Sequence, residues 1–215
     1  MVEILKIYVW RPLYHIQLLL KRWYENKFII PPYTEKRKIL LGNKTKYHCK
    51  TFVESGTFLG ETIESLKNDF DFLYSIELAE KLAIKAQQRF INDEHIKIIK
   101  GDSGNELKLI ISISNPPILF WLDGHYYSSF FVGEEFIETA KGEISTPIIK
   151  ELEAILFNGL LNNVILIDDA RCFGKGDYPS IKELIKVVEK YGITSKQVSV
   201  KRDIIHIVPA LKIMK

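Results

Sequence analysis

The chain has 215 residues, 47% hydrophobic and 27% charged, which is the composition of a folded globular protein and excludes a disordered or collagen-like one. Its two cysteines, Cys49 and Cys172, are too few for a disulfide framework and lack the CxxC spacing of a structural zinc site, so they fit a reducing, cytoplasmic setting. The net charge of +3 is unevenly spread: residues 1–48 hold ten Lys and Arg against three Asp and Glu, while the remainder is mildly acidic. This asymmetry divides the chain into a basic N-terminal extension, residues 1–48, and a main domain, residues 49–215.

The extension has no apolar run of about 18 residues and no clean signal-peptide pattern, so neither a membrane span nor a secretory leader is expected. Residues 13–24 are apolar on most faces and end in Lys21 and Arg22. They read as a helix that packs on the domain or on a second copy of the chain; the alternative is peripheral contact with an anionic membrane surface. Pro31-Pro32 closes the segment, and Lys36-Arg37-Lys38 reads as a solvated linker or an anion-facing patch.

From residue 49 the pattern alternates between short β-rich runs and helical stretches. A strand through Phe52-Val53 breaks at Ser55-Gly56, and a helix follows Gly60. Glycine there permits positive φ and leaves room for close approach, and a following helix start exposes N–H groups. There is no Gly-Lys-Ser/Thr, and Gly56-x-x-x-Gly60 is not G-x-G-x-x-G. Further strands are predicted at 70–78, 96–99, 118–123 and 164–168, with helices at 79–90, 106–112, 147–157 and 179–191. The near-continuous apolar runs of 118–122 and 164–167 mark strands covered on both faces. Residues 124–144, rich in exposed aromatics, are too long for a simple connection and read as a lid or binding loop. Residues 197–201 and 204–208 have hairpin spacing. Five β-α units followed by a hairpin give a doubly wound α/β sheet, mostly parallel, with the last strand antiparallel.

Ligands of such sheets bind outside the carboxyl ends of the strands. A carboxylate falls at each of those ends: Glu54, Glu77, Asp102, Asp123, and the pair Asp168-Asp169. Glu77 stands 21 residues after Gly56, where an acid can take both hydroxyls of a ribose. Asp102 with Ser103 suits the exocyclic amine of a base. Asp123, Asp168 and Asp169, from two adjacent strand ends, suit a hard divalent ion such as Mg²⁺. A positively charged arginine, Arg171, offers a second way to neutralise the same cluster.

Glycine turn, acid after the second strand, Gly101-Asp102 after the third and a terminal hairpin together resemble a class I S-adenosylmethionine-dependent methyltransferase. Trp121-Leu-Asp-Gly-His125 and Leu166-Ile-Asp-Asp-Ala-Arg171 resemble the metal-dependent O-methyltransferases of the catechol and macrocin types. The resemblance implies a seven-stranded sheet of order 3-2-1-4-5-7-6, with S-adenosylmethionine as cofactor. It further implies that Glu54, Gly56, Thr57 and Gly60 hold the cofactor from the turn, Glu77 its ribose, and Asp102 with Ser103 its adenine. Asp123 would touch cofactor, reaction and metal, with Asp168 and Asp169 completing the Mg²⁺ site. The sequence departs from the pattern at Thr57-Phe58, where another glycine usually stands. It departs again at His125 and Tyr126, where the catechol type carries a lysine. His125 is then the candidate base.

The expected activity is methyl transfer to an oxygen of a small-molecule or sugar-like acceptor. Basic residues gathered in the extension rather than along the site edge argue against nucleic acid. Two rivals remain: a nicotinamide-dependent oxidoreductase, which shares the turn and strand-end acid, and a non-catalytic cofactor-binding module docked through its extension. His15, His48, His95 and His206 show no ligand spacing and read as ordinary.

Overall fold

The structure is a computed structural model that describes residues 27–126, 130–132, 135–137, 139–140, 142, 145–157 and 162–210. The helix expected at 13–24 lies outside these residues. Strands β1 (Thr51–Ser55), β2 (Phe72–Glu77), β3 (Ile96–Lys100), β4 (Ile118–Leu122), β7 (Val164–Ile167), β8 (Val198–Lys201) and β9 (Ile204–Ile207) form one sheet. Its order is β3-β2-β1-β4-β7-β9-β8, which is 3-2-1-4-5-7-6 when only these seven strands are counted. The first five run parallel, and β9 pairs antiparallel with both β7 and β8. The remaining two described strands, β5 (Phe130–Val132) and β6 (Glu135–Ile137), pair antiparallel outside the main sheet. They fall in the stretch expected to be a lid.

Alternation along the strands builds a core on each face. Val53, Phe120, Ile165 and Ile167 point to one side. There they meet helices α4 (Ser103–Ile113), α5 (Ile148–Leu156) and α6 (Ile181–Glu189) through Leu107, Ile110, Leu152, Leu184 and Val188. Phe52, Leu119, Trp121 and Leu166 point to the other. That side is covered by α1 (Tyr33–Tyr47), α2 (Glu61–Leu66) and α3 (Glu80–Arg89) through Leu40, Ile63, Leu66 and Ala86. β1 and β4 are buried throughout; β4 is accordingly apolar on both faces, while β1 buries Thr51, Glu54 and Ser55 beside Phe52 and Val53.

Helix α1 corrects the expectation for Lys36-Arg37-Lys38. These residues are not a linker but the second turn of a 15-residue helix. Pro32 does not end structure here; it is the N-cap, extended at φ −62° and ψ 156°. The pyrrolidine ring is compatible with a helix start and only its interior is barred. The helix is mostly polar, so its periodicity is weak in the sequence. It is anchored by Leu40, 2% exposed, and ends at His48, whose left-handed φ of 57° turns the chain so that Cys49 N–H also reaches Lys44 O, at 3.0 Å. Among the described residues, no helix is long and apolar enough to cross a membrane.

Truncating Leu40 should therefore cost what a core truncation costs. Leu40→Ala is expected to destabilise the chain by about 2–5 kcal/mol in urea unfolding, far more than an exposed helix position. A loss near zero would mean that α1 is not part of the folding unit.

Candidate active site

The glycine turn is shaped by what it packs against. Gly56 has φ +86°, and a Cβ there would stand 2.6 Å from the backbone oxygen of Asp123. The N–H groups of Gly56 and Thr57 reach Ile76 O at 2.9 and 3.3 Å. The turn is thus pinned between the exits of β2 and β4, and only glycine fits it. Gly60 has φ +79° and lies against the Phe90 ring, at the entry to α2.

Glu54 and Thr57 support the turn from within the protein. Thr57 Oγ1 and Ser75 Oγ are 2.7 Å apart, and Ser75 Oγ donates to Glu54 Oε2 at 2.7 Å. Glu54 is 2% exposed, and burial pushes its pKa up to about 8 against the lowering effect of Ser75. It does not line the main cavity, contrary to the place expected beside the methionine part of a cofactor. The reason is the strand's own alternation, which turns Glu54 to the same side as Phe52.

That main cavity measures about 360 Å³ and runs along the carboxyl ends of β1 to β4. Gly56 and Phe58 stand at one end, Glu77 in the middle, Asp102 and Ser103 at the other, with Asp123, Gly124, His125 and Tyr126 along the wall. Thr139, Ala140 and Gly142, from the stretch after β6, face it from outside. Both oxygens of Glu77 are fixed by backbone donors: Oε2 by Phe58 N at 2.8 Å and Oε1 by Ala79 N at 2.9 Å. Burial raises the Glu77 pKa, with these N–H groups opposing it. Asp102 caps α4, and its buried Oδ1 has no hydrogen-bond partner among the described residues.

Sequence reasoning missed Glu151. It lies in α5, is 1% exposed, and accepts a 2.6 Å hydrogen bond from Ser103 Oγ. Its pKa is pushed up to about 7, first by burial. A Cβ on Gly124 would come within 3.0 Å of Ser55 Oγ and 3.3 Å of Glu151 Oε1. Gly124 thus seals a polar floor under the cavity. Nothing in the sequence flags a glutamate at a helix face that otherwise reads as apolar.

The second cluster differs from expectation. Asp168 and Asp169 are neighbours in sequence yet point apart, because Asp169 takes a left-handed φ of 58°. Asp168 is met by Lys36 Nζ from α1, and its Oδ1 accepts Asp169 N at 2.9 Å. Burial, then the charge of Asp123, raise its pKa to about 6, with Lys36 opposing. For Lys36, burial disfavours the charge and Asp168 more than offsets it, so its pKa is raised. Asp169 Oδ1 is bound by Arg171 at 2.6 Å, and Arg171 also bridges to the fully buried Asp203. His125 stands between carboxylates, with Nδ1 3.2 Å from Asp123 Oδ1 and Nε2 3.4 Å from Asp169 Oδ2. Hydrogen bonding to Asp123 raises its pKa, and burial opposes the rise.

The structure groups these residues differently from the Mg²⁺ set expected from the sequence. The described group whose donor atoms come together within 4.8 Å is Asp123, His125 and Asp169, without Asp168. Within that group the imidazole uses opposite nitrogens for its two carboxylates. It therefore bridges the carboxylates, and one ligand atom from each of the three residues lies close enough to the others for them to share an ion.

No protein-family model matches the sequence, and no curated protein matches it. Solved structures do share the fold. The S-adenosylhomocysteine-bound methyltransferase PaMTH1 of Podospora anserina is similar at a TM-score of 0.51 and 16% identity, over 82% of this chain and 78% of that one. The O-methyltransferase of Bacillus cereus, also with S-adenosylhomocysteine, gives 0.51 and 15% over 89% of each chain. The O-methyltransferase TomG of Streptomyces achromogenes, with S-adenosylmethionine, gives 0.51 and 13% over 84% and 82%. The chain has the class I methyltransferase fold.

The buried carboxyl of Glu54 makes the site pH-sensitive. Its folded pKa of about 8 lies above its ordinary 4.5, so the native state binds the proton more tightly. Stability from this group is complete below pH 4.5 and is lost as pH rises through about 8. Glu54→Gln should flatten that fall. Melting at pH 5 and pH 8.5 should show the wild type losing about 2–4 °C more than the variant for each kcal/mol involved. Parallel losses in both proteins would count against a neutral Glu54.

Proposed function

We propose that the protein is an S-adenosylmethionine-dependent methyltransferase acting on an oxygen of a small-molecule or sugar-like acceptor. The observation that carries this is the main cavity. It places the Gly56 turn, Glu77 and Asp102 in succession along the carboxyl edge of a sheet ordered 3-2-1-4-5-7-6. A cofactor laid along it would put its methionine part at Gly56, its ribose at Glu77 and its base at Asp102. The residues fit that group. Glycine leaves a close approach at the turn, each Glu77 oxygen keeps a lone pair beyond its N–H partner, and Asp102 has a buried oxygen without a donor. Similar folds hold S-adenosylmethionine or S-adenosylhomocysteine.

When bound, the cofactor supplies a methyl group on a sulfonium that already carries the leaving group. The chain's part is to align the acceptor and manage its proton. In-line positioning can contribute roughly 7–11 kcal/mol. His125 is the candidate to take the proton; both of its nitrogens face carboxylates, Asp123 and Asp169, so one must be released to reach the acceptor. Its raised pKa means that the proton-accepting form grows in above the ordinary 6.5, so transfer to a hydroxyl should accelerate with pH through that range. The nicotinamide rival is disfavoured by the antiparallel β9 between β7 and β8, since the dinucleotide fold keeps order 3-2-1-4-5-6.

Titration calorimetry tests this reading. The protein should bind S-adenosylhomocysteine and ignore NAD, and Glu77→Gln should weaken the former by about 10- to 100-fold through loss of charged hydrogen bonds. Binding of NAD without S-adenosylhomocysteine would end it.

A further inference from the structure

Helix α1 delivers a cation to the sheet edge from outside the β-α units that build the rest of the site. Lys36 Nζ meets Asp168 Oδ2 across 132 residues of sequence and stands 5.8 Å from the centre of the Trp121 ring. The Asp168 side chain is 2% exposed, and its other oxygen already accepts Asp169 N. A divalent ion bound there would have to share a carboxylate with an ammonium at contact distance, and the like charges would repel. Moving Lys36 aside would strip a buried carboxylate of its partner, a change that is costly unless the replacement is equally well placed. At the next position Arg171 holds Asp169 Oδ1 and Asp203, while Asp169 Oδ2 faces His125.

Lys36 also faces a space. With Asp123, Trp121, Tyr33 and Leu40 it lines a smaller cavity of about 180 Å³ between α1 and the glycine turn. Gly56, Phe58 and Asp123 line both this cavity and the main one, so the two adjoin at the turn. A ligand in the smaller cavity would have the ammonium on one side and the methionine end of the main cavity on the other.

We propose that Lys36 is the built-in cation of this site. Its ammonium takes the position at Asp168 that a divalent metal would occupy, and it presents that charge to an oxygen-bearing ligand in the smaller cavity. The position of the cation stands independently; that the ligand is a methyl acceptor rests on the function proposed above, which then proceeds without a metal. Lys36 is the counterpart of a metal in charge and not in geometry: it donates hydrogen bonds instead of accepting lone pairs.

Mn²⁺ alone is the probe, followed by its free electron-paramagnetic-resonance signal, with the full chain saturated in S-adenosylhomocysteine. Up to roughly 1 mM, weaker than dedicated carboxylate sites, the wild type should show no Mn²⁺ uptake that depends on Asp168; uptake that survives Asp168→Asn belongs to Asp123, His125 and Asp169 and leaves the assignment of Lys36 standing. Lys36→Met should take up Mn²⁺ at least about tenfold more tightly, or 1.4 kcal/mol, because Asp168 is released. Adding Asp168→Asn to that variant should cancel the gain, which a merely structural ion pair would not produce. Micromolar Mn²⁺ binding by the wild type that Asp168→Asn abolishes would overturn the proposal, and this pair of titrations decides it even if Lys36→Met does not fold. Failure of the wild type to bind S-adenosylhomocysteine while Mn²⁺ stays free would instead sink the methyltransferase reading and leave the cation assignment standing.

Discussion

Parallel pairing concentrates negative charge, and most of the site follows from how that charge is handled. In register, Ser55 lies beside Ile76 and Leu122, and Leu122 beside Ile167, so β1, β2, β4 and β7 finish together. The residues that leave them bring Glu77, Asp123, Asp168 and Asp169 to one edge, with Asp102 just beyond β3. Like charges held this close in a partly dry setting raise one another's proton affinity or need partners. The chain uses three remedies. Glu77 is held by backbone N–H groups of the turn and of the entry to α3. Asp168 and Asp169 receive Lys36 and Arg171. Glu54 and Glu151 sit deep enough to favour the neutral form, at about 8 and about 7.

The frame of this arrangement is legible in the sequence because it depends on local signals. Apolar runs too long for a half-exposed strand mark β4 and β7, and Gly56 marks a turn that no larger residue fits. The acids after each strand follow once the strand ends are known. The hairpin at the C-terminus is readable from two short alternating runs around Arg202-Asp203, both in the left-handed region that a tight turn demands. Helix α4 begins three residues before the expected start, because Asp102-Ser103-Gly104 reads as loop although Asp102 is its N-cap.

What the sequence hides is side-chain direction and long-range pairing. Asp168-Asp169 reads as a two-pronged ligand, yet a single positive φ sends one carboxylate to α1 and the other to Arg171. Lys36 reads as a solvated basic residue because nothing local connects it with a strand end 132 residues away. Glu54 reads as a strand-end acid of the site, but strand alternation turns it beneath the turn. Glu151 belongs to an apolar helix face, where a polar residue is expected to be an exception and carries no mark of its partner. In each case the deciding fact is a backbone angle or a tertiary contact, to which motif spacing is blind.

The distribution of these remedies divides the edge electrically. At the β7 end the acids are matched by fixed cations, Lys36 and Arg171, which cannot leave with solvent. At the β1 to β3 end, Glu77 and Asp102 face the main cavity, which Lys150 also lines. Asp123 lies between the two, near His125. Hydrogen-bond donors of a ligand are favoured at Glu77 and Asp102, and an electron-rich oxygen is favoured beside Lys36. On the methyltransferase reading those belong to the methyl donor and to its acceptor. The field would then sort the two substrates to opposite sides of Gly56 before any specific contact forms. Helix α1 supplies one of the two cations behind that division, Lys36, and the segment after β7 supplies the other, Arg171.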